Sequence, residues 1–192
     1  MHSIITTEGI VLAKRSAGEA TTRVVVFTEA LGVVRIAARS ARLERSKLRY
    51  GLETLTLGRF ALVEGRYEWK LTGAQDISRE LVPESLAGRR AAGRVVRLLL
   101  RLIQGEGTHL ELYRTAANGL RALAASPADE LEQVEWLLVL RILWHLGYVE
   151  QSGALMPFLQ NDSYMSEDIE RAKVSGHTLL RSINESLSAT GL

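Results

Sequence analysis

The chain has 192 residues, 46% hydrophobic and 24% charged, so it can bury a real core and is not a disordered protein. It contains no cysteine, which excludes disulfides and thiolate zinc sites. The formal net charge is +2. It is unevenly spread: residues 1–80 hold 13 basic and 9 acidic side chains, and the remainder is mildly acidic. The four histidines are far apart, and no pair has metal-ligand spacing, so no metal or other cofactor is expected. The N-terminus lacks the pattern of a signal peptide, and Arg141 and His145 interrupt the longest apolar run. A cytoplasmic protein without a membrane span is expected.

The first part of the chain reads as strands. Ile4–Ala13 is apolar and branched, with Gly9 marking a bulge or bend. Lys14–Ala20 reads as a loop. Arg23–Thr28 is a second strand, and its run of apolar residues implies burial on both faces. In the third strand, from Gly32, Val34, Ile36 and Ala38 alternate with Val33, Arg35, Ala37 and Arg39. A polar, basic loop follows. From Arg35 to Arg49 there are six basic residues, Arg35, Arg39, Arg42, Arg45, Lys47 and Arg49, against the single acid Glu44.

Leu55–Val63 is a fourth strand whose alternation changes phase near Gly58, and Glu64-Gly65 is a hairpin turn. Arg66–Thr72 is a fifth strand with Tyr67, Trp69 and Leu71 on one side. Five short strands with a long excursion between the third and fourth fit an OB-type Greek-key barrel, with an SH3-like barrel as the structural rival.

Beyond Pro83 the period changes to that of helices. The first runs from Glu84 to Gln104 and carries Arg90, Arg94, Arg97 and Arg101 on one narrow stripe. Thr108–Glu111 has the form of a capping box for a second helix ending near Ala125. Ser126 and Pro127 have the form of a helix start for a third, largely apolar, central helix that stops at Gly147. Gln151–Met165 reads as irregular. Ser166 caps a last helix from Glu167 to about Ser188, whose apolar residues include Val174, Leu179, Leu180 and Ile183. The expected class is α+β: a five-stranded OB barrel over residues 1–78 and a helical bundle over 79–192.

The chain lacks a glycine-rich phosphate loop, a nucleophile elbow and a zinc-protease helix, and its crowded carboxylates sit at a helix start, so no enzyme is expected. Binding is better supported. Phosphates need cationic donors, and single strands also use aromatic rings for stacking. The basic loop, Lys14, Arg15, Arg66 and Lys70, with Tyr50 as an exposed ring, suit a polyanion. The arginine stripe of the first helix either extends that track or is an ordinary solvated face. Trp69 is more at home in the core. Three alternatives stay open: a solubilising loop, a protein-interaction scaffold, and an RNA-binding OB protein.

The run Thr7-Glu8-Gly9-Ile10-Val11-Leu12, Gly18-Glu19, Val24–Thr28 followed by Gly32, and Ala38-Arg39 to Ser46-Lys47-Leu48 resembles the N-terminal domain of RecO, a bacterial recombination mediator family. Leu71-Thr72-Gly73-Ala74-Gln75 is similar to that domain's final strand, and Leu137–Tyr148 resembles the family's central helix. The resemblance implies an OB-fold followed by a helical domain. It further implies binding of single- and double-stranded DNA, strand annealing, and contact with the single-strand binding protein SSB and with RecR to help load RecA on coated DNA. It implies no turnover reaction, no small-molecule substrate, and action at the bacterial nucleoid. Many family members carry a cysteine zinc site after the Leu-Gly-Tyr motif. The corresponding Gln151–Met165 has no cysteine, so zinc is not implied here.

Overall fold

The computed structural model describes residues 3–17, 21–39, 51–103, 105–150 and 152–189. Among these are five strands: β1 (Ile4–Ala17), β2 (Thr21–Thr28), β3 (Gly32–Ala38), β4 (Leu57–Val63) and β5 (Trp69–Ser78). Six helices follow: α1 (Leu86–Leu102), α2 (Leu110–Ala125), α3 (Leu131–His145), α4 (Met156–Leu159), α5 (Ser166–Val174) and α6 (Gly176–Ala189). The chain divides into two compact units. One is Met1–Val82 with Leu99–Tyr113; the other is Pro83–Leu98 with Arg114–Leu192.

The strands close into a barrel in the order β1-β2-β3-β5-β4. The pairings are antiparallel apart from β3 with β5, which are parallel. Parallel neighbours need a long crossover, and the excursion after β3 together with β4 provides it. This is the OB topology. β1 serves both halves of the barrel, pairing with β4 over Ile4–Ile10 and with β2 over Gly9–Ala17. The branched residues Val11, Val24, Val26, Val34 and Ile36 fill the interior with Leu52, Phe60, Leu62 and Trp69.

Several expectations are corrected at the ends of elements. Lys14–Ala17 is not a loop: it continues β1 because Thr21–Val24 offers backbone partners along its length. The β1 bulge lies between Val11 and Ala13 rather than at Gly9. Gly9 has another cause, since a Cβ there would stand 2.7 Å from Val26 Cγ1. β5 starts and ends later than its alternation implies. The register against β4 shifts near Gly58, and again between Ala61 and Leu62, where Thr72 Oγ1 donates to the Ala61 carbonyl at 3.0 Å. Trp69 is buried, while Tyr67 precedes the strand and is 85% exposed.

In the second unit α3 is central and packs against α4, α5 and α6. It ends in a Schellman motif at Gly147 (φ 79°), where the Gly147 N–H reaches Trp144 O and the Tyr148 N–H reaches Leu143 O, both at 2.9 Å. Ser85 caps α1, its Oγ accepting from the Gly88 N–H at 3.0 Å. The other expected caps are differently used. Thr108 Oγ1 donates to Ala30 O, Ser126 Oγ donates to Ala122 O, and Ser166 lies inside α5, after Met165.

The last helix is two helices. The chain breaks at Ser175, and at Gly176 a Cβ would meet the Trp136 ring at 2.9 Å. That break changes the helical phase, so Val174 is 87% exposed and Leu180 also faces solvent. The stretch expected to be irregular contains α4. The buried Arg141 of α3 secures it: its Nε donates to Phe158 O at 2.8 Å, and its guanidinium lies 4.6 Å from the Tyr164 ring centre.

Candidate nucleic-acid interface

Cross-strand register places basic residues in one line. Arg15 of β1 stands opposite Arg23 of β2, Arg23 opposite Ala37 of β3, and Ala37 beside Lys70 of β5. Neighbouring strands are about 4.8 Å apart, so this line spans about 14 Å. Side chains two residues apart share a face, so Arg35 and Arg39 stand outward on either side of Ala37. Arg15, Arg23, Arg35, Arg39 and Lys70 are all exposed. Like charges directly opposite each other repel. Glu68 relieves the Arg15–Arg23 pair by accepting from Arg23 Nε at 2.9 and 3.2 Å.

The β4–β5 connection adds Arg66 and Tyr67 at the rim. The Arg66 guanidinium lies 5.1 Å from the Tyr67 ring centre, a cation–π contact on a ring that the core does not hold. Beside the row is a groove of about 500 Å³ within the barrel unit. Val25, Val33, Leu100 and Ile103 line it with Tyr67 and Trp69. Its polar groups are Arg35, Glu68 and Glu106, and Trp69 Nε1–H donates to Glu106 Oε1 at 2.8 Å.

The expected site residues are therefore only partly brought together. Arg15, Arg35, Arg39 and Lys70 share the outward face, with Arg66 at its edge. Lys14 pairs with Val24, a core residue, and so has the opposite parity; its ammonium meets Glu53. Arg42, Arg45, Lys47, Arg49 and Tyr50 lie outside the described residues. On α1, Arg90, Arg97 and Arg101 are exposed. Arg94 forks onto Glu135, with Nε 2.6 Å from Oε1, and that hydrogen bond raises its pKa above the ordinary guanidinium value. The stripe is thus partly neutralised by an acid distant in sequence. Arg23, Glu106 and the groove-lining valines were not anticipated. Outward parity beside Arg35 is the available signal for Arg23 and Val33, but the apolar run of Arg23–Thr28 masks it by implying burial on both faces. Among the described residues, no group of three or more His, Asp or Glu could hold a metal ion.

Residues 1–77 match the family model described as recombination protein O N terminal. The barrel resembles the RecO N-terminal domain. Over this part the chain is similar to a DNA repair and recombination family. The family match and the OB topology fall on the same segment, the one that carries the cation row. Among curated proteins, none matches the chain significantly. No helix among the described residues is long and apolar enough to cross a membrane.

Proposed function

We propose that the protein binds DNA across the outward face of β1, β2, β3 and β5 and acts as a recombination mediator. It anneals complementary strands and helps load a recombinase on SSB-coated single strands. The observation that carries this reading is the placing of Arg15 and Lys70 across adjacent strands, with Arg35 and Arg39 beside them and Arg23, paired to Glu68, between. Cations spaced along one surface replace the counterions of a phosphate backbone, which yields salt-dependent affinity without reading sequence. The same surface lowers the repulsion between two complementary strands and so favours annealing.

In this reading residues 1–78 form the DNA-binding part, and the basic loop through Arg42, Arg45, Lys47 and Arg49 extends it, with Tyr50 at its end. Residues 79–192 dock RecR-like and SSB-like partners, and the α1 arginines are a secondary contact. The protein works on the nucleoid, in the cytoplasm.

The test is a gel shift with single-stranded and duplex DNA, comparing the wild type with Arg35→Glu/Lys70→Glu and with the loop variant in which Arg42, Arg45, Lys47 and Arg49 become Glu. Lost binding with unchanged circular dichroism supports the reading. Full binding by both variants overturns it in favour of a protein-interaction scaffold. Competition with a matched RNA decides whether the nucleic acid is DNA, because backbone capture does not register the 2′-hydroxyl.

A further inference from the structure

We propose that Glu106 is a positioning residue for nucleic-acid binding: it fixes the start of β5 against β3 and so sets where Lys70 stands relative to Arg35 and Arg39. The inference rests on the DNA-binding reading above and names a residue outside the cation row that shapes it. Lys70 is the second residue of β5, and β3 joins β5 over two pairs, Ile36 with Trp69 and Ala37 with Lys70. On its other side β5 pairs with β4 from Lys70 onward. Trp69 therefore begins the strand with a partner on the β3 side alone, and it decides how the backbone enters Lys70.

The connection from α1 to α2 spans this junction. It belongs to the barrel unit, which takes in Leu99–Tyr113. Toward β3, the Gly107 N–H donates to Leu31 O at 3.0 Å, Thr108 Oγ1 donates to Ala30 O at 3.0 Å, and Glu106 forms an antiparallel bridge with Gly32. Gly32 (φ 72°) permits that approach, because a Cβ there would collide with the Gly107 carbonyl. Farther along, Tyr113 packs edge-on against Phe27 at 5.4 Å and its hydroxyl donates to Glu8 Oε1 at 2.9 Å. Toward β5, Glu106 Oε1 accepts from Trp69 Nε1–H at 2.8 Å. A buried indole N–H needs an acceptor, and a carboxylate is a strong one. The connection is thus anchored beside β3 and reaches over to hold the residue next to Lys70. Cations bind a phosphate backbone best when they are already set in place, since less ordering then opposes binding.

Fluorescence anisotropy of a labelled single strand tests this by comparing Glu106→Gln with Glu106→Ala. Glutamine keeps the acceptor and loses the charge, whereas alanine loses both. Each variant removes the carboxylate's repulsion of phosphate, so the difference between them reports the hydrogen bond to Trp69. Glu106 is exposed, and neither replacement disturbs the core. Glu106→Ala should bind about fivefold more weakly than Glu106→Gln. Its salt slope should be flatter by up to about 0.7, the share of one phosphate. In a Lys70→Gln background the two should bind equally, because the cation being positioned is gone; a merely structural role would persist there. Equal binding by Glu106→Ala and Glu106→Gln, or a difference that survives Lys70→Gln, overturns the positioning role and leaves DNA binding intact, as for a Trp69 held by the core alone. Failure of the wild type to bind overturns the DNA-binding reading and this inference with it.

Discussion

Replacing Arg35 and Lys70 together by glutamine should flatten the salt dependence of single-strand binding. Among the described residues, Arg15, Arg35, Arg39 and Lys70 are exposed on the row without an ion-pair partner, whereas Arg23 is matched by Glu68. For single strands, log K falls with log salt by about 0.7 per neutralised phosphate. These four cations therefore contribute a slope of about −2.8, a loss of about 50-fold between roughly 50 and 200 mM salt. Removing two leaves about −1.4 from this set, or about sevenfold over the same range. The change of about 1.4 holds whatever the basic loop adds. Arg23→Gln should barely alter the slope, because it removes a charge already balanced. It should still lower affinity, because it frees the Glu68 carboxylate. Anisotropy titrations of a labelled single strand at four or more salt concentrations provide the slopes. An unchanged slope in the double variant, or an equal flattening by Arg23→Gln, refutes the reasoning.

Gly9→Ala should destabilise the barrel by about 1–3 kcal/mol through overpacking, because the added Cβ meets Val26 Cγ1 at 2.7 Å and Phe27 O at 3.2 Å. A thermal midpoint equal to that of the wild type counts against it. Arg141→Ala should cost about 2–4 kcal/mol, since it leaves the Phe158 carbonyl without its donor, uncovers the Tyr164 ring and opens a void. Urea unfolding reads that cost directly, and an unchanged midpoint would show that α4 does not depend on this anchor. Burial pushes the Tyr164 hydroxyl up from about 10 to about 12, although nearby Arg141 pulls it partly back. The folded protein keeps this proton while an unfolded chain releases it, so stability is unaffected below pH 10 and falls from there to about 12. Ultraviolet titration of tyrosinate should show Tyr164 ionising late, and a Tyr164→Phe variant should lose that step.

β3 was legible because its alternating residues meet one core, β2 because its branched apolar run has no other use, and α3 because its apolar residues leave little room for a solvated face. β5 was displaced because the shift at Thr72 and the positive φ of Asp76 (52°) break the period of two. The last helix looks continuous in sequence because a glycine within a helical pattern does not announce a neighbouring ring, here Trp136. Thr108 and Ser126 had the residue types of caps, but their hydroxyls found other carbonyls. The outward parity of Arg35 and Arg39 was visible from alternation. Lys70's place beside Ala37 was not, because it depends on the parallel β3–β5 register, which no local pattern encodes. Glu135's hold on Arg94 was invisible for the same reason: the two lie far apart in the chain.

The barrel closes between β3 and β5 over two residue pairs, Ile36 with Trp69 and Ala37 with Lys70, whereas β1 holds β4 over seven. Opening is easiest where the fewest rungs must part, so the barrel breathes first at this seam. Amide protons near Ile36 and Ala37 should therefore exchange with solvent ahead of those around Val11 and Leu62. A polyanion lying from Arg35 to Lys70 joins the two lips of the seam, so occupancy tightens the fold where it is thinnest.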